Sequence, residues 1–380
     1  MYRFLVRPLL FLLPPETIHH LLVSVLKFVF RIPGFRWVIE KIYRLEHEKL
    51  ETAFLGMTFR NPVGLAAGFD KNAEVFNELY SFGFSFIEVG TITPEGQPGN
   101  PRPRSFRIPA DQGLINRMGF NNRGAAAAAS NLSRRRPKEL ILGANMGKNT
   151  LTPNHGAAAD YEAVFRAVHD RVEYFVVNVS CPNISDLHVL QDQEYLESIL
   201  GRILEVRGEM GSSKPILLKI SPDLNDRQLD ETIEVVSRLG LDGIVATNTT
   251  IGRGGLRTGP EKIQSIGEGG MSGAPITERS LGIVRYIVRK TGGRIPVIGV
   301  GGIMGVQDAL NMLDAGASLI QIYTGFIYEG PGLVKKINRA VLRKRLGRDE
   351  TRINWGSGQG VPPATGSSSP PPGSRGPEGS

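Results

Sequence analysis

Asparagine and lysine side chains recur within or directly after short apolar runs of this sequence. Lys71 follows one such run, Asn145 and Asn178 lie at the ends of two others, and Lys219 lies inside a fourth. A lysine inside an apolar run is a buried charge, which is rare unless the charge is paired or functional. Amides arranged around a pocket suit a flat heterocycle with alternating donors and acceptors, because each amide offers both. The lysines would neutralise an anionic group such as a carboxylate or a phosphate.

Histidine and acidic residues are scarce at the same positions. The sequence therefore disfavours a zinc or two-metal hydrolase, which needs His or carboxylate ligands, and no metal is expected. Cys181 is the only cysteine of the 380 residues, which excludes an intramolecular disulfide and a cysteine-based metal site.

Eight short apolar runs position these side chains. They cover residues 63–67, 86–90, 140–145, 174–179, 216–220, 243–247, 296–300 and 319–323, with helix-compatible stretches at 159–171, 193–208, 226–239, 278–290 and 306–314. Fully buried strands that alternate with helices indicate a parallel sheet, and eight such units predict a closed (β/α)8 TIM barrel. An open doubly wound sheet is the alternative. No G-x-G-x-x-G motif follows the first run, which disfavours that alternative.

Glycine-rich turns late in the chain predict a phosphate site. Gly301-Gly302 follows the seventh run, and Tyr323-Thr324-Gly325 follows the eighth. The loops after strands seven and eight are the usual phosphate site of this fold, with backbone N–H groups and a helix N-terminus as donors. The stretch from Gly269 to Gly273 adds further glycine in the loop after the sixth run.

Residues 1–45 form a separate amphipathic segment, predicted as two helices over 2–13 and 17–30 that are separated at Pro14-Pro15. Seven Lys or Arg against two Glu give the segment a charge of 7 − 2 = +5, most of the chain's net +8. The second helix would be about 21 Å long, too short to span about 30 Å of hydrocarbon. A basic segment rich in large apolar residues favours an anionic membrane surface over nucleic acid. A secretory signal and a purely structural cap on the barrel are the alternatives.

The remaining chain divides at about residue 350. Residues 46–350 are predicted to form the barrel, and residues 351–380 are predicted to be a disordered tail. Between Trp355 and Ser380 the sequence has 7 Gly, 6 Pro and 6 Ser in 26 residues, a composition that cannot bury enough apolar surface to order itself.

Motifs spread over residues 50 to 345 resemble the dihydroorotate dehydrogenase family. They are NPVGLAAGFDK at 61–71, GNPRPR at 99–104, INRMGFN at 115–121, NVSCPN at 178–183, ATNTT at 246–250 and IGVGG at 298–302. The N-terminal segment and the loop at 116–121 resemble the quinone-reducing, membrane-associated class 2 enzymes. The resemblance implies oxidation of (S)-dihydroorotate to orotate in de novo pyrimidine synthesis, with FMN as prosthetic group and a membrane quinone as acceptor. It also implies a peripheral membrane protein on the cytoplasmic face of the cell membrane.

The family's functional residues fall on matching positions of this chain. The resemblance implies flavin contacts at Ala67, Gly68, Phe69, Asp70, Lys71, Thr91, Asn145, Asn178, Lys219, Thr247, Gly273, Gly302, Tyr323 and Thr324. It implies substrate contacts at Lys71, Asn116, Arg117, Met118, Gly119, Phe120, Asn178, Asn183, Asn248 and Thr249.

Cys181 is the implied catalytic base, and it departs from the class 2 pattern, which has serine there. Ser180-Cys181-Pro182-Asn183 is similar to the soluble class 1 enzymes. A thiol with a pKa near 8.5 ionises more readily than an alcohol, so Cys181 can still serve as the base of the reaction. The substitution bears only on the assignment to class 2.

Three other functions compete with this hypothesis. A soluble class 1 enzyme that uses fumarate or NAD is disfavoured by the basic amphipathic segment. A tRNA dihydrouridine synthase is disfavoured because that family needs an RNA-binding helical domain where this chain has a Pro/Gly/Ser tail. A non-catalytic flavin-binding membrane scaffold is disfavoured because a candidate base, both lysines and the pocket asparagines are all present.

Overall fold

Eight strands pair in parallel around a closed barrel in a computed structural model that describes residues 2–180 and 193–353. The barrel strands are Val63–Leu65, Phe86–Ile92, Ile141–Met146, Tyr174–Asn178, Ile216–Ile220, Gly243–Ala246, Val297–Val300 and Leu319–Ile322. The last strand pairs with the first, with Ile320 opposite Val63. The predicted TIM barrel is confirmed, with strand ends that differ from the predicted ones by at most two residues.

Large apolar side chains fill the inside of the barrel. Phe86, Tyr174 and Leu217 are fully buried members of this inner cluster. Gly64 faces the Phe86 ring so closely that a Cβ atom would lie 2.3 Å from its Cζ atom. The first strand therefore needs glycine at this position to make room for the aromatic ring of its neighbour.

The outer layer consists of helices that bury one face against the strands. The helices between and after the strands are Phe76–Tyr80, Ala125–Leu132, Ala157–Val168, Gln193–Glu209, Asp226–Leu239, Pro260–Ile266, Thr277–Thr291, Val306–Asp314, Thr324–Glu329 and Gly332–Ile353. Asn225 and Gln228 form a capping box at the start of one of them, which satisfies two otherwise unpaired backbone donors. The five predicted helices are all present.

Short antiparallel strands, which the sequence did not predict, shape both ends of the barrel. The hairpin Thr52–Phe54 with Met57–Phe59 precedes the first barrel strand, and the Phe59 ring lies 5.2 Å from that of Phe86. The loops that follow barrel strands two and six hold the other short strands. These are a three-stranded sheet of Ser105–Ile108, Gly113–Asn116 and Gly270–Gly273, and the pair Glu95–Gln97 with Asn122–Gly124.

The N-terminal segment lies against the barrel as consecutive helices. A π-helical stretch at Tyr2–Val6 leads into the α-helix Arg7–Phe11, and the helices Pro15–Val29 and Phe35–Tyr43 follow. The two predicted helices are present, and the third was not predicted. No single helix in residues 2–180 and 193–353 is long and apolar enough to cross a membrane; Tyr2–Phe11 and Pro15–Val29 together pass by length and composition but meet at a bend of 114°. Of the predicted tail, residues 354–380 lie outside the described part of the chain.

Candidate active site

Three predicted cofactor residues form one hydrogen-bond network at the carboxyl ends of the strands. The Thr91 hydroxyl donates to Asn145 Oδ1 at 2.5 Å. Asn178 Nδ2 donates to Thr91 Oγ1 at 3.1 Å and to Asn145 Oδ1 at 3.0 Å. Since the three residues come from neighbouring strands, the network fixes the strand ends relative to one another and orients the amides at the barrel mouth.

A buried carboxylate, Glu88, lies directly behind this network. Its side chain is 0% exposed, and its two oxygens accept from Asn145 Nδ2 and Gln321 Nε2, each at 2.7 Å. Lys219 Nζ lies 3.6 Å from Glu88 Oε1. The lysine predicted from its place inside an apolar run is therefore a buried charge with a buried partner, the arrangement that makes such a charge tolerable.

Glu88 and Gln321 are residues that the sequence analysis missed. Glu88 is an ionisable residue in the middle of a strand whose seven residues are all buried. The reasoning that singled out Lys219 applies to Glu88 as well, because a buried charge of either sign requires a nearby partner of the opposite sign. The partner's position could not be found from the sequence, since the two residues are 131 positions apart.

A further amide, Asn248, joins the network. Asn248 Nδ2 donates to Asn178 Oδ1 at 3.3 Å and to Ser180 Oγ at 3.1 Å. The Thr249 backbone N–H donates to Asn248 Oδ1 at 2.9 Å, which fixes the orientation of that amide. The structure thus places Asn178, Asn248 and Thr249 close together.

Lys71 follows the first barrel strand and contacts the loop at 116–121. Its Nζ donates to Asn121 Oδ1 at 2.6 Å. The preceding residue, Asp70, is buried and accepts the backbone N–H groups of Glu74 at 2.7 Å and Val75 at 2.9 Å. Burial raises the pKa of Asp70 to about 6 against the lowering effect of those two hydrogen bonds. The Asp70 carboxylate is thus engaged in the turn that positions Lys71.

The loop at 116–121 is tightly held. Asn116 Nδ2 donates to the Gly270 carbonyl at 3.4 Å. The Arg117 guanidinium donates to the carbonyls of Ile266 at 2.6 Å and Glu268 at 2.8 Å, so it braces one loop against another. Phe120 is buried and has a φ of +50°. Of the other predicted substrate residues in this loop, Gly119 is buried and Met118 is half-buried.

Two glycines in the loops that follow strands six and seven, Gly273 and Gly302, form a feature that we call the glycine cradle. A Cβ atom on Gly302 would lie 2.2 Å from Thr277 Cα, and one on Gly273 would lie 2.4 Å from the Gln112 carbonyl oxygen. Both glycines have positive φ, +73° and +99°. Thr324 starts the following helix, and its hydroxyl lies 2.9 Å from Ser272 Oγ. Both positions therefore require glycine, because the backbone packs closely against its neighbours at a positive φ.

Aromatic rings connect the N-terminal helices to this end of the barrel. The His19 ring lies 5.2 Å from that of Phe69, and Phe69 lies 5.6 Å from Tyr323. Burial, and then the neighbouring Lys71 charge, lower the pKa of His19 to about 4, so its imidazole is neutral at physiological pH. Burial raises the pKa of Tyr323 to about 12. His19 is a further residue at this end of the barrel that the sequence analysis did not single out.

The remaining predicted residues have simple positions. Ala67 and Gly68 follow the first strand, and Thr247, whose hydroxyl lies 2.8 Å from Ser280 Oγ, follows the sixth. Cys181 and Asn183 lie outside the described residues. Within 2–180 and 193–353, no group of three or more His, Cys, Asp or Glu residues could hold a metal ion.

The comparisons with known proteins define a flavin-dependent oxidoreductase of the barrel type. The structure matches a crystal structure of DHODH from Eimeria tenella in complex with ferulenol, with a TM-score of 0.78, 33% identity and coverage of 89% of this chain and 93% of that one. A ligand-free structure from the same organism matches with a TM-score of 0.74 and 35% identity over 82% of this chain and 93% of the other.

The sequence comparisons identify the family. A family model described as dihydroorotate dehydrogenase matches residues 49–345. A relative from Christiangramia forsetii, named dihydroorotate dehydrogenase (quinone), is 48% identical over 91% of this chain and 100% of its own length. One of the same name from Nocardia farcinica is 46% identical over 92% of this chain and 94% of its own length. The chain belongs to the dihydroorotate dehydrogenase family, and the predicted family and enzyme class are confirmed.

Proposed function

We propose that this chain oxidises (S)-dihydroorotate to orotate, with FMN as prosthetic group and a membrane quinone as electron acceptor. The single observation that carries this proposal is the pairing of an amide network with two lysines at one barrel mouth. Relatives 44–48% identical are named quinone enzymes. The reaction supplies orotate to de novo pyrimidine synthesis.

The substrate pocket lies between the amide network and Lys71. Dihydroorotate presents an imide edge, with alternating donors and acceptors, and a carboxylate. Asn116, Asn178 and Asn248 offer both hydrogen-bonding functions to the imide. Lys71 offers a charge-assisted hydrogen bond to the carboxylate. Asn183 and Thr249 complete the proposed set.

The residues present fit FMN. The glycine cradle at Gly273 and Gly302, with the Thr324 helix start, supplies the N–H groups that a phosphate needs. Thr91, Asn145 and Lys219 offer hydrogen bonds and a positive charge toward a polar ring. When bound, FMN supplies the two-electron acceptor that the oxidation needs. Lys219, held beside Glu88, would offset the negative charge that gathers on the reduced ring.

The chain's own chemical contribution is proton removal. As hydride leaves C6 of dihydroorotate, the proton at C5 must pass to a base. We assign this role to Cys181, the next residue in the sequence after Ser180, which is buried two residues past the end of the fourth strand. The thiol becomes a thiolate before it takes the proton, and the C5–H electron pair becomes part of the new C5–C6 double bond.

Gly302→Ala is expected to abolish most FMN retention, because its Cβ would lie 2.2 Å from Thr277 Cα at a backbone φ of +73°. Gly282→Ala is the matched control, since no atom lies within 4 Å of its added Cβ. The measurement is the molar ratio of flavin released by heat to purified protein. Equal FMN content in the two variants would contradict the phosphate assignment.

The N-terminal helices present an apolar surface that supports membrane association. Exposed side chains here include Phe4 at 81%, Phe28 at 68% and Trp37 at 64%. Exposed apolar patches of this kind mark interaction sites. Several basic residues of the segment contact the barrel, as in the 2.7 Å pair of Lys27 with Glu74. The segment is therefore fastened to the barrel while its apolar side chains face outward, as a helix pair lying in an anionic membrane surface requires.

The same helices provide a path for a lipophilic acceptor. His19, Phe69 and Tyr323 form the connected rings between the segment and the barrel mouth, and the neutral His19 adds no charge to that path. A quinone that leaves the membrane surface would meet this aromatic group before it reached the cofactor.

The double variant Phe28→Glu/Trp37→Glu is expected to weaken binding to anionic lipid vesicles by at least about 100-fold. Each large apolar side chain contributes about 1.5–3 kcal/mol when buried, and about 1.4 kcal/mol is a factor of ten. Vesicle co-sedimentation measures the effect. Leu151→Glu is the control, because Leu151 is 96% exposed outside the segment. Unchanged co-sedimentation of the double variant would contradict membrane association and favour the alternative, in which the segment is a structural cap on the barrel.

A further inference from the structure

We infer that Glu16 is a positioning residue for the substrate: through Arg104 it fastens the first turn of the Pro15–Val29 helix to the loop at 116–121. The inference rests on the proposed function, in which that loop contacts dihydroorotate. It adds that the helices which face the membrane also help to set the affinity of the dihydroorotate pocket.

The connection from Glu16 to the pocket begins with a bidentate ion pair between Arg104 and Glu16. Arg104 Nη2 lies 2.7 Å from Glu16 Oε1, and Arg104 Nε lies 3.1 Å from Oε2. The side chains are 5% and 13% exposed, so water screens the pair little. Burial raises the pKa of Glu16, but hydrogen bonds and charge from Arg104 and Arg102 outweigh burial and lower the pKa to about 2. Glu16 therefore stays ionised at any physiological pH.

Arg104 also holds the loop in which it lies. Its Nη1 donates to the carbonyls of Pro98 at 2.6 Å and Asn100 at 2.8 Å. One guanidinium thus joins the helix to two backbone positions of the 98–104 loop. A planar guanidinium can make these contacts together because its five donors point in fixed directions.

The 98–104 loop is bonded in turn to the substrate loop. The Asn100 N–H donates to the Met118 carbonyl at 3.2 Å, and the Arg117 N–H donates to the Arg104 carbonyl at 2.9 Å. A Cβ on Gly99 would lie 2.2 Å from the Met118 oxygen, and one on Gly119 would lie 2.7 Å from Asn100 Oδ1. The two loops therefore touch backbone to backbone, and a displacement of one must displace the other.

The last contacts lead to the pocket. Gln97 Nε2 donates to the carbonyls of Gly119 at 3.0 Å and Phe120 at 3.3 Å. Asn121 accepts from Lys71, the proposed partner of the substrate carboxylate, at 2.6 Å. The connection from Glu16 thus ends at groups that the proposed function places against dihydroorotate.

Glu40 provides a matched comparison on the same segment. It lies 3.5 Å from Arg44 and accepts from Ser81 at 3.2 Å. Like Glu16, it is an acid of the N-terminal segment with a basic partner and a contact to the barrel. Neither of its partners belongs to the 98–104 or the 116–121 loop, so its loss should not change the pocket.

The test compares Glu16→Gln, Glu40→Gln and the wild type as flavin-loaded full-length proteins. Orotate affinity is read from the spectral change of the bound flavin, and anaerobic stopped flow gives the limiting rate of flavin reduction by dihydroorotate. In E16Q we expect orotate and dihydroorotate affinity to fall about 5- to 50-fold, the range of a typical coupling between sites, with the limiting rate unchanged. E40Q should match the wild type in both.

Wild-type orotate affinity in E16Q, or an equal loss in E40Q, would overturn the inference. Arg104→Lys gives a second measurement if E16Q does not retain flavin. Lysine keeps the charge beside Glu16 but cannot bridge the carboxylate and both carbonyls, so the same loss is expected, and wild-type affinity in R104K would again overturn the inference. A wild type that shows no response to orotate would instead refute the proposed substrate.

Discussion

Replacing Cys181 by alanine should slow the reduction of the bound flavin by dihydroorotate about 10²–10⁴-fold, the usual cost of removing a general base. Flavin content and orotate affinity should stay near wild type, because the change removes a proton acceptor and no binding group. Cys181 lies outside the described residues, so the expectation rests on the NVSCPN motif and on the position of Ser180. Anaerobic stopped flow isolates this half-reaction from the quinone step.

Cys181→Ser separates the role of a base from that of packing. Serine should retain part of the rate, with its activity shifted to higher pH, because an alcohol is harder to deprotonate than a thiol of pKa near 8.5. The profile is measured from about pH 6 to about pH 10. If C181A reduced its flavin at the wild-type rate across that range, Cys181 would be a packing residue, and Ser180 or Thr249 would become the candidate base.

Lys71→Met should weaken orotate binding about 10- to 150-fold, since a hydrogen bond to a charged group contributes about 1.5–3 kcal/mol. Methionine keeps most of the side-chain length but lacks the ammonium group, which in the wild type donates a hydrogen bond to Asn121 Oδ1 at 2.6 Å. The affinity is measured by titrating flavin absorbance with orotate.

Lys219→Met is the comparison for this variant. It removes the same charge from the other lysine at the barrel mouth, and it leaves Glu88 without its cationic neighbour at 3.6 Å. We expect K219M to lose flavin or to reduce it slowly, while the flavin-loaded fraction binds orotate nearly as the wild type does. Equal loss of orotate affinity in both variants would show that Lys71 has no specific role toward the carboxylate.

The barrel could be predicted because its signals are local. Each barrel strand is a short apolar run and each predicted helix has its own periodicity, so a window of ten to fifteen residues suffices for both. The run at 216–220 matches its strand fully, and the helix at 226–239 matches its helix at both ends.

The short antiparallel strands could not be predicted in the same way. Glu95–Gln97 and Asn122–Gly124 are three residues each, and neither shows an alternation of apolar and polar residues in its sequence. Their pairing comes from the way in which the loops fold over the barrel mouth. The Phe35–Tyr43 helix was missed because Pro33-Gly34 marks the end of the preceding helix more strongly than it marks a new start.

The parts of the site that the sequence did not predict depend on long-range pairs. Lys219 was predicted from its own surroundings, but Glu88 is its partner only because the barrel closes. The contact of Glu16 with Arg104 joins residues 88 positions apart, and neither residue type is unusual where it stands. Such pairs follow from the tertiary fold, and only the family motifs pointed to the neighbouring loop.

This chain is proposed to transfer electrons from dihydroorotate to a quinone. The most direct measurement is steady-state turnover of the purified flavin-loaded protein with dihydroorotate and, in parallel, a quinone, fumarate or NAD. Orotate formation is followed by its absorbance. We predict turnover with the quinone and negligible turnover with fumarate and NAD. Turnover with fumarate or NAD, without turnover with the quinone, would contradict the proposed electron acceptor. It would favour the soluble class to which Ser180-Cys181-Pro182-Asn183 is similar.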